Sequence, residues 1–282
     1  MSLKKLPEIK AFDSSIVRGW IMKDEAIDGW NPAVKAADSD NTTITMLDVI
    51  GDDPFSGGGV TAKRISAALR SIGEQDITVE LNSPGGDFFE GITIYNMLRE
   101  HKGRVTVKIL GIAASAASVI AMAGDDIEIS ESGFLMIHNA WSVFVGNRHD
   151  LRGAADTLEP FDTAMAELYA KRSGESVEVT SEWMDNETYF NGKEAVEAGL
   201  ATSLLESDQI EQDETQALDA KAIRASIKLD NALRAHKPDM TRSERRALLG
   251  DVKGSKLGAT VTVTPCADDI SLSLMNLANS IR

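Results

Sequence analysis

Between residues 43 and 138 two hydrophobic patterns alternate along the chain. Short β-branched runs read as strands: TITMLDVIG (43–51), ITVELN (77–82), RVTVKIL (104–110), DIEIS (126–130) and FLMIH (134–138). Between them lie helical spacings. VTAKRISAALRSIG (60–73) carries Ile65, Leu69 and Ile72 on one face and ends at Gly73. FFEGITIYNMLREH (88–101) places Ile92, Tyr95 and Leu98 in one stripe. AASAASVIAMAG (113–124) reads as a third helix, beginning just after the 104–110 strand. The order strand, helix, strand, helix, strand, helix, strand, strand predicts an α/β fold with a mostly parallel sheet and crossover helices.

Further along, residues 148–174 read as a long helix with apolar positions Leu151, Leu158, Phe161, Met165 and Leu168, kinked or restarted at Pro160. NGKEAVEAGL (191–200) reads as a short helix with Asn191 as N-cap, Glu194 at N3 and Gly199 at its end. ESDQIEQDETQ (206–216) is acidic, lacks an apolar period and reads as a linker. Beyond it, 217–236 looks helical, Thr241 and Glu244 carry a capping signature, 254–265 reads as flexible, and 268–281 as a last amphipathic helix. The expected organisation is an N-terminal segment (1–42), a main domain (43–205), and an acidic linker with a helical or flexible C-terminal extension (206–282).

Charge narrows the function. Lys and Arg number 29 against 44 Asp and Glu, a net charge of −15. That disfavours nucleic acid, whose binding needs cations to neutralise phosphates, and anionic membrane surfaces. The most apolar stretch, Val107–Gly124, contains Lys108 and falls short of the ~20 residues of a spanning helix. One cysteine, Cys266, allows no internal disulfide, and the N-terminus shows no secretory h-region, so a cytoplasmic protein is expected.

Three chemistry-bearing features fall at predicted carboxyl ends of strands, where parallel α/β sheets bind ligands: Gly85-Gly86, Ser115 and His138. A serine needs an adjacent base and donors aimed at the oxyanion that forms on attack. Ser115 near a helix start lies beside unpaired amides, among them that of Ala116. Small neighbours at Ala113, Ala114, Ala116 and Ala117 let a peptide backbone approach. SPGG, with no Cβ at Gly85 and Gly86, exposes a further amide. His138 is the candidate base, and an acid is needed to orient its imidazole. Ser118, one turn on from Ser115, reads as a structural hydroxyl, and His101, His149 and His236 as solvated.

Four segments in register, ELNSPGGDFFEGITIYNMLR, GIAASAAS, FLMIHNA and YFNGKEAVEAGL, resemble the proteolytic subunit of the Clp protease, and more closely the Clp-like proteases encoded with the head genes of tailed phages and prophages. The resemblance covers roughly residues 43–205. It implies the Clp protease/crotonase-like fold with a protruding helical handle, a serine endopeptidase, and a homo-oligomeric ring built through the 148–174 segment. It also implies that Ser115 is the nucleophile, His138 the general base, and Gly86 with Ala116 the oxyanion donors. Two departures stand out. The family's A-S-M-G is A-S-A-A here, and its triad aspartate aligns with Glu187, with Asp185 two residues earlier as the alternative.

The resemblance implies polypeptide substrates, with capsid or scaffold proteins suggested by the phage likeness. No cofactor is expected: there is no H-E-x-x-H, and without a G-x-x-x-x-G-K-[ST] loop any energy-dependent unfolding falls to a separate ATPase. Two other readings compete. One is a crotonase-type acyl-CoA enzyme, which needs no Ser-His pair; the other is an assembly or scaffold module that has lost activity.

Overall fold

Strand β1 (Val34–Ala36) is followed by β2 (Thr43–Met46), β3 (Ile77–Ser83), β4 (Val105–Ala114), β5 (Asp126–Ser130), β6 (Phe134–Met136), β7 (Tyr189–Asn191), β8 (Ser203–Leu205) and β9 (Ile210–Gln212). The helices are α1 (Asp24–Gly29), α2 (Ala62–Ile72), α3 (Phe88–Glu100), α4 (Ala116–Ala121), α5 (Arg148–Ser173), α6 (Val177–Asp185), α7 (Gly192–Glu197) and α8 (Glu214–His236). This computed structural model describes residues 22–36, 40–52, 58–206, 210–212, 214–237, 240–241 and 243–248. All of them lie in one unit, Met1–Leu249. The segments expected to be flexible (254–265) and helical (268–281), together with Cys266, fall outside the described residues.

The central sheet runs β2-β3-β4-β5-β8, parallel throughout. One face of its central strands is wholly apolar and fully buried, with Val79, Leu81, Val107, Ile109, Ile127 and Ile129 in register, while Thr78, Glu80, Thr106, Lys108, Asp126 and Glu128 alternate with them on the other face. β4 has two partners. Thr106–Ile109 pair with β5, and Ile112–Ala114 pair with β6, which in turn carries antiparallel β7. The sequence places the end of this strand at residue 110 and starts a helix at 113. Instead the strand runs through Ala113 and Ala114, and α4 begins only at Ala116. The alanines favour helix as isolated residues, but here they are fully buried between neighbouring strands. Pairing with β6 overrides their propensity.

Capping explains the helices that bound the site. Asn147 and Asp150 form a reciprocal capping box at the start of α5, and Asn191 with Glu194 does the same for α7, as its sequence predicts. α5 runs unbroken for 26 residues through Pro160. Its buried side is Ala154, Phe161, Met165, Ala166 and Tyr169, whereas Leu151, predicted on that stripe, is exposed.

The 206–216 segment also departs from its linker reading. β9 pairs antiparallel with β1, and α8 starts at Glu214. A three-residue strand leaves no periodic trace in so acidic a run; only its partner 174 or more residues away defines it. α8 packs against α1, with Ile227 in one buried cluster with Ala26, Ile27 and Trp30.

Candidate active site

Three chain segments converge where β3, β4 and β6 end. The chain turns at Ser115, between β4 and α4, with φ 56 and ψ −125. Only two non-glycine residues among those described have positive φ, Ser115 and Glu187. Each costs on the order of 1–3 kcal/mol and persists because its surroundings hold it. For Ser115 those surroundings are an N–H donating to Met136 O at 3.0 Å and a carbonyl that accepts from the Ser118 hydroxyl at 2.6 Å. The Ser118 hydroxyl is itself 2.8 Å from the Tyr169 phenol, which burial pushes well above its ordinary pKa, so it stays neutral. Ser118 is therefore structural, as expected, and what it supports is the Ser115 turn.

His138 lies two residues beyond β6 and is 8% exposed. Its Nε2 is 2.8 Å from Ser115 Oγ, so the structure brings together the two side chains singled out in the sequence. Nδ1 is 2.5 Å from the Asn139 carbonyl oxygen. A carbonyl can only accept, so the proton sits on Nδ1 and the Nε2 lone pair faces the serine hydroxyl. Burial, the dominant influence, holds the imidazole below its ordinary pKa; the Asn139 carbonyl opposes this, the Lys23 ammonium reinforces it, and the Glu187 carboxylate opposes it.

The glycine turn closes the other side. Ile50 donates to Gly85 O at 2.8 Å and accepts from Asp87 N at 2.9 Å, a parallel bridge around Gly86. That pairing turns the amide of Gly86 away from Ile50, and Gly86 lines one cleft with Ser115, Ala116 and His138. The Ala116 amide, first in α4, has no intrahelical acceptor. Phe88, Ala140, Trp141 and Met165 supply the apolar wall of the cleft. None of these four stands out in the sequence, since aromatic and methionine side chains read there as ordinary core.

The acid is arranged differently from the expectation of a carboxylate on the histidine. Ile137 N–H donates to Thr188 O at 3.1 Å, which brings the 187–188 turn beside His138. Glu187 occupies the left-handed position after α6, with the two backbone bonds of a Schellman motif, Glu187 N to Met184 O and Thr188 N to Trp183 O. Its Oε1, however, is 2.6 Å from Lys23 Nζ. Asp185 accepts from the Asn139 side-chain amide at 2.7 Å and so reaches the histidine only through its neighbour. Lys23 and Asn139 are site residues that sequence reasoning missed. Asn139 adjoins the histidine in FLMIHNA, but nothing in the sequence points to Lys23.

A glutamate at a position that favours glycine carries a cost. Glu187→Gly is expected to raise stability by about 0.5–1 kcal/mol, since relief of the left-handed strain exceeds the loss of a half-exposed ion pair. Thermal melts of the two proteins check this; a lower midpoint for the glycine variant would contradict it.

Among the described residues no three metal-ligating side chains cluster, and no helix is long and apolar enough to cross a membrane. The chain is 22% identical to a ClpP1 mutant from Listeria monocytogenes of known structure, with a TM-score of 0.49, covering 63% of this chain and 95% of that one. It is 29% identical over 135 residues to the ATP-dependent Clp protease proteolytic subunit of Deinococcus radiodurans, a match covering 47% of this chain and 66% of that relative. The chain thus spans just under two thirds of that relative's length. The family model described as Clp protease matches residues 60–208, more than half of the chain and the span that holds Gly86, Ser115, His138 and Glu187, so the chain belongs to the Clp protease family.

Proposed function

We propose that this chain is a serine endopeptidase that works through an acyl-enzyme. Ser115 Oγ attacks the scissile carbonyl carbon while His138 Nε2 takes its proton. The oxyanion is held by the Gly86 and Ala116 amides. His138 then returns the proton to the leaving amine, and water, activated by the same imidazole, frees Ser115. Glu187 is the acid of the triad. The observation that carries the reading is the 2.8 Å bond between Ser115 and His138, made by a serine held at φ 56 next to the first amide of α4, which has no intrahelical acceptor.

The apolar wall beside Ser115 supports a polypeptide substrate with an apolar side chain at the cleaved position. The exposed Val145 and Leu151 near the start of α5 support a ring of copies joined through that helix. The likeness to proteases encoded with head genes supports capsid or scaffold proteins as substrates. A separate ATPase would have to supply any unfolding.

Treatment with a fluorophosphonate followed by mass spectrometry tests the reading. The adduct is expected on the peptide that carries Ser115, and modification elsewhere, or none in the assembled protein, would argue for an inactive assembly module. The labelling rate is expected to hold its plateau through pH 7 and to fall only below the ordinary imidazole value of about 6.5, because the base is buried.

A further inference from the structure

Lys23 lies outside residues 60–208, yet its ammonium enters the site. The side chain is 19% exposed, and Nζ lies 5.4 Å from the centroid of the Trp141 ring as well as 2.6 Å from Glu187. It is held there from behind. Lys23 is the N-cap of α1, and α1 is fastened to α8: Lys228 pairs with Asp28 at 2.7 Å, Arg224 donates to Trp30 O at 2.8 Å, and Asn231 donates to Met22 O at 3.1 Å. Trp30 is buried and its indole N–H donates to Asn82 O on β3 at 3.0 Å. The lysine therefore approaches the site on a braced segment.

The histidine shows the consequence. The groups that face it are Ser115, Lys23, Glu187, Asp185 through the Asn139 amide, and Asp162 on α5, whose carboxylate accepts from Ala140 N at 2.6 Å. None of the three carboxylates contacts Nδ1, which is satisfied by a backbone carbonyl. A neutral carbonyl fixes the tautomer but stabilises the imidazolium of the transition state far less than a carboxylate does. Glu187 is paired with the ammonium beside it instead.

We propose that Lys23 is a positioning residue of this site and acts as an autoinhibitory latch: it engages Glu187 and keeps that carboxylate off His138 Nδ1, so that full activity requires the N-terminal segment to release. The inference rests on the assignment of Ser115 and His138 as nucleophile and base. Movement of α1 or of the α8 helix that braces it is what would open the latch, which gives the extension a part in controlling the site.

The rate of fluorophosphonate labelling of the full chain, followed against pH, tests this. Lys23→Met keeps the stem over Trp141 and removes the charge. It is expected to label about tenfold faster at pH 8, with the acidic limb of the profile moved up by about one unit as His138 gains a carboxylate partner. Lys23→Arg keeps the charge and is expected to stay nearer wild type than the methionine variant. The gain must need the acid, so Lys23→Met/Glu187→Gln should label no faster than Glu187→Gln alone. A methionine variant no faster than wild type, or a gain that survives in the Glu187→Gln background, overturns the latch. Ser115→Ala separates the two ideas. Labelling that depends on Ser115 but ignores Lys23 removes the latch alone, while labelling independent of Ser115, or absent from every variant, removes both.

Discussion

His138→Ala is expected to slow acylation of Ser115 by on the order of 10⁴–10⁶-fold. The hydroxyl at pH 7 is almost wholly protonated, and the only base in contact with it among the described residues is Nε2 at 2.8 Å. Asn139 already holds the proton on Nδ1, so the imidazole is in the tautomer that accepts from serine. Deleting it removes the acceptor for the proton in the attack step and the donor for the leaving amine in the next. What remains is stabilisation by the two amides and by binding. The measurement is the labelling rate alongside circular dichroism, which reports whether the variant keeps its fold. A variant that labels within tenfold of wild type would remove His138 from the mechanism.

The second large effect is expected from Gly86→Ala, through the backbone. A Cβ at this position would lie 2.0 Å from the Ile50 carbonyl oxygen and 2.9 Å from its carbon, and φ is +148. The atoms it meets are main chain, fixed by the bonds from Ile50 to both sides of the turn, so they cannot yield as a flexible side-chain tip would. A destabilisation of about 3 kcal/mol is expected. In protein that still folds, the displaced amide should cost a further ~10²–10³ in labelling rate, the usual effect of losing one oxyanion donor. Gly153→Ala is the matched control. It sits in α5 with nothing within 4 Å of an added Cβ, so it should leave labelling intact and, if anything, favour the helix. Equal behaviour of the two variants would show that the turn at Gly86 has no special role.

These expectations depend on features that were unequally visible in the sequence. The order β2, α2, β3, α3, β4, α4, β5, β6 follows the alternating patterns closely, because a strand that buries one face in the core must place apolar residues at every second position and crossover helices must be striped. The Ser115 turn was visible as a residue but not as a conformation. Nothing in AASAAS tells strand from helix until β6 pairs with Ala113 and Ala114. β9 was hidden for the same reason, since an acidic tripeptide becomes a strand only by meeting β1. Asn147 and Asn191, by contrast, were legible or of a legible kind, because a cap is written in residues three apart.

By itself, then, the chain's pattern determined the parallel α/β class, the succession of elements, and the three strand-end positions of Gly86, Ser115 and His138, because each of these follows from periodicity or from short-range chemistry. Only the tertiary structure decided that β4 would split between two partners, that Ser115 would be held in a strained turn, and that Glu187 would pair with Lys23 rather than with His138. Those outcomes are contacts between residues far apart in the chain, 164 positions in the case of Lys23 and Glu187. Which carboxylate meets which cation is set by how separate segments are braced against one another, and no local pattern encodes that distance.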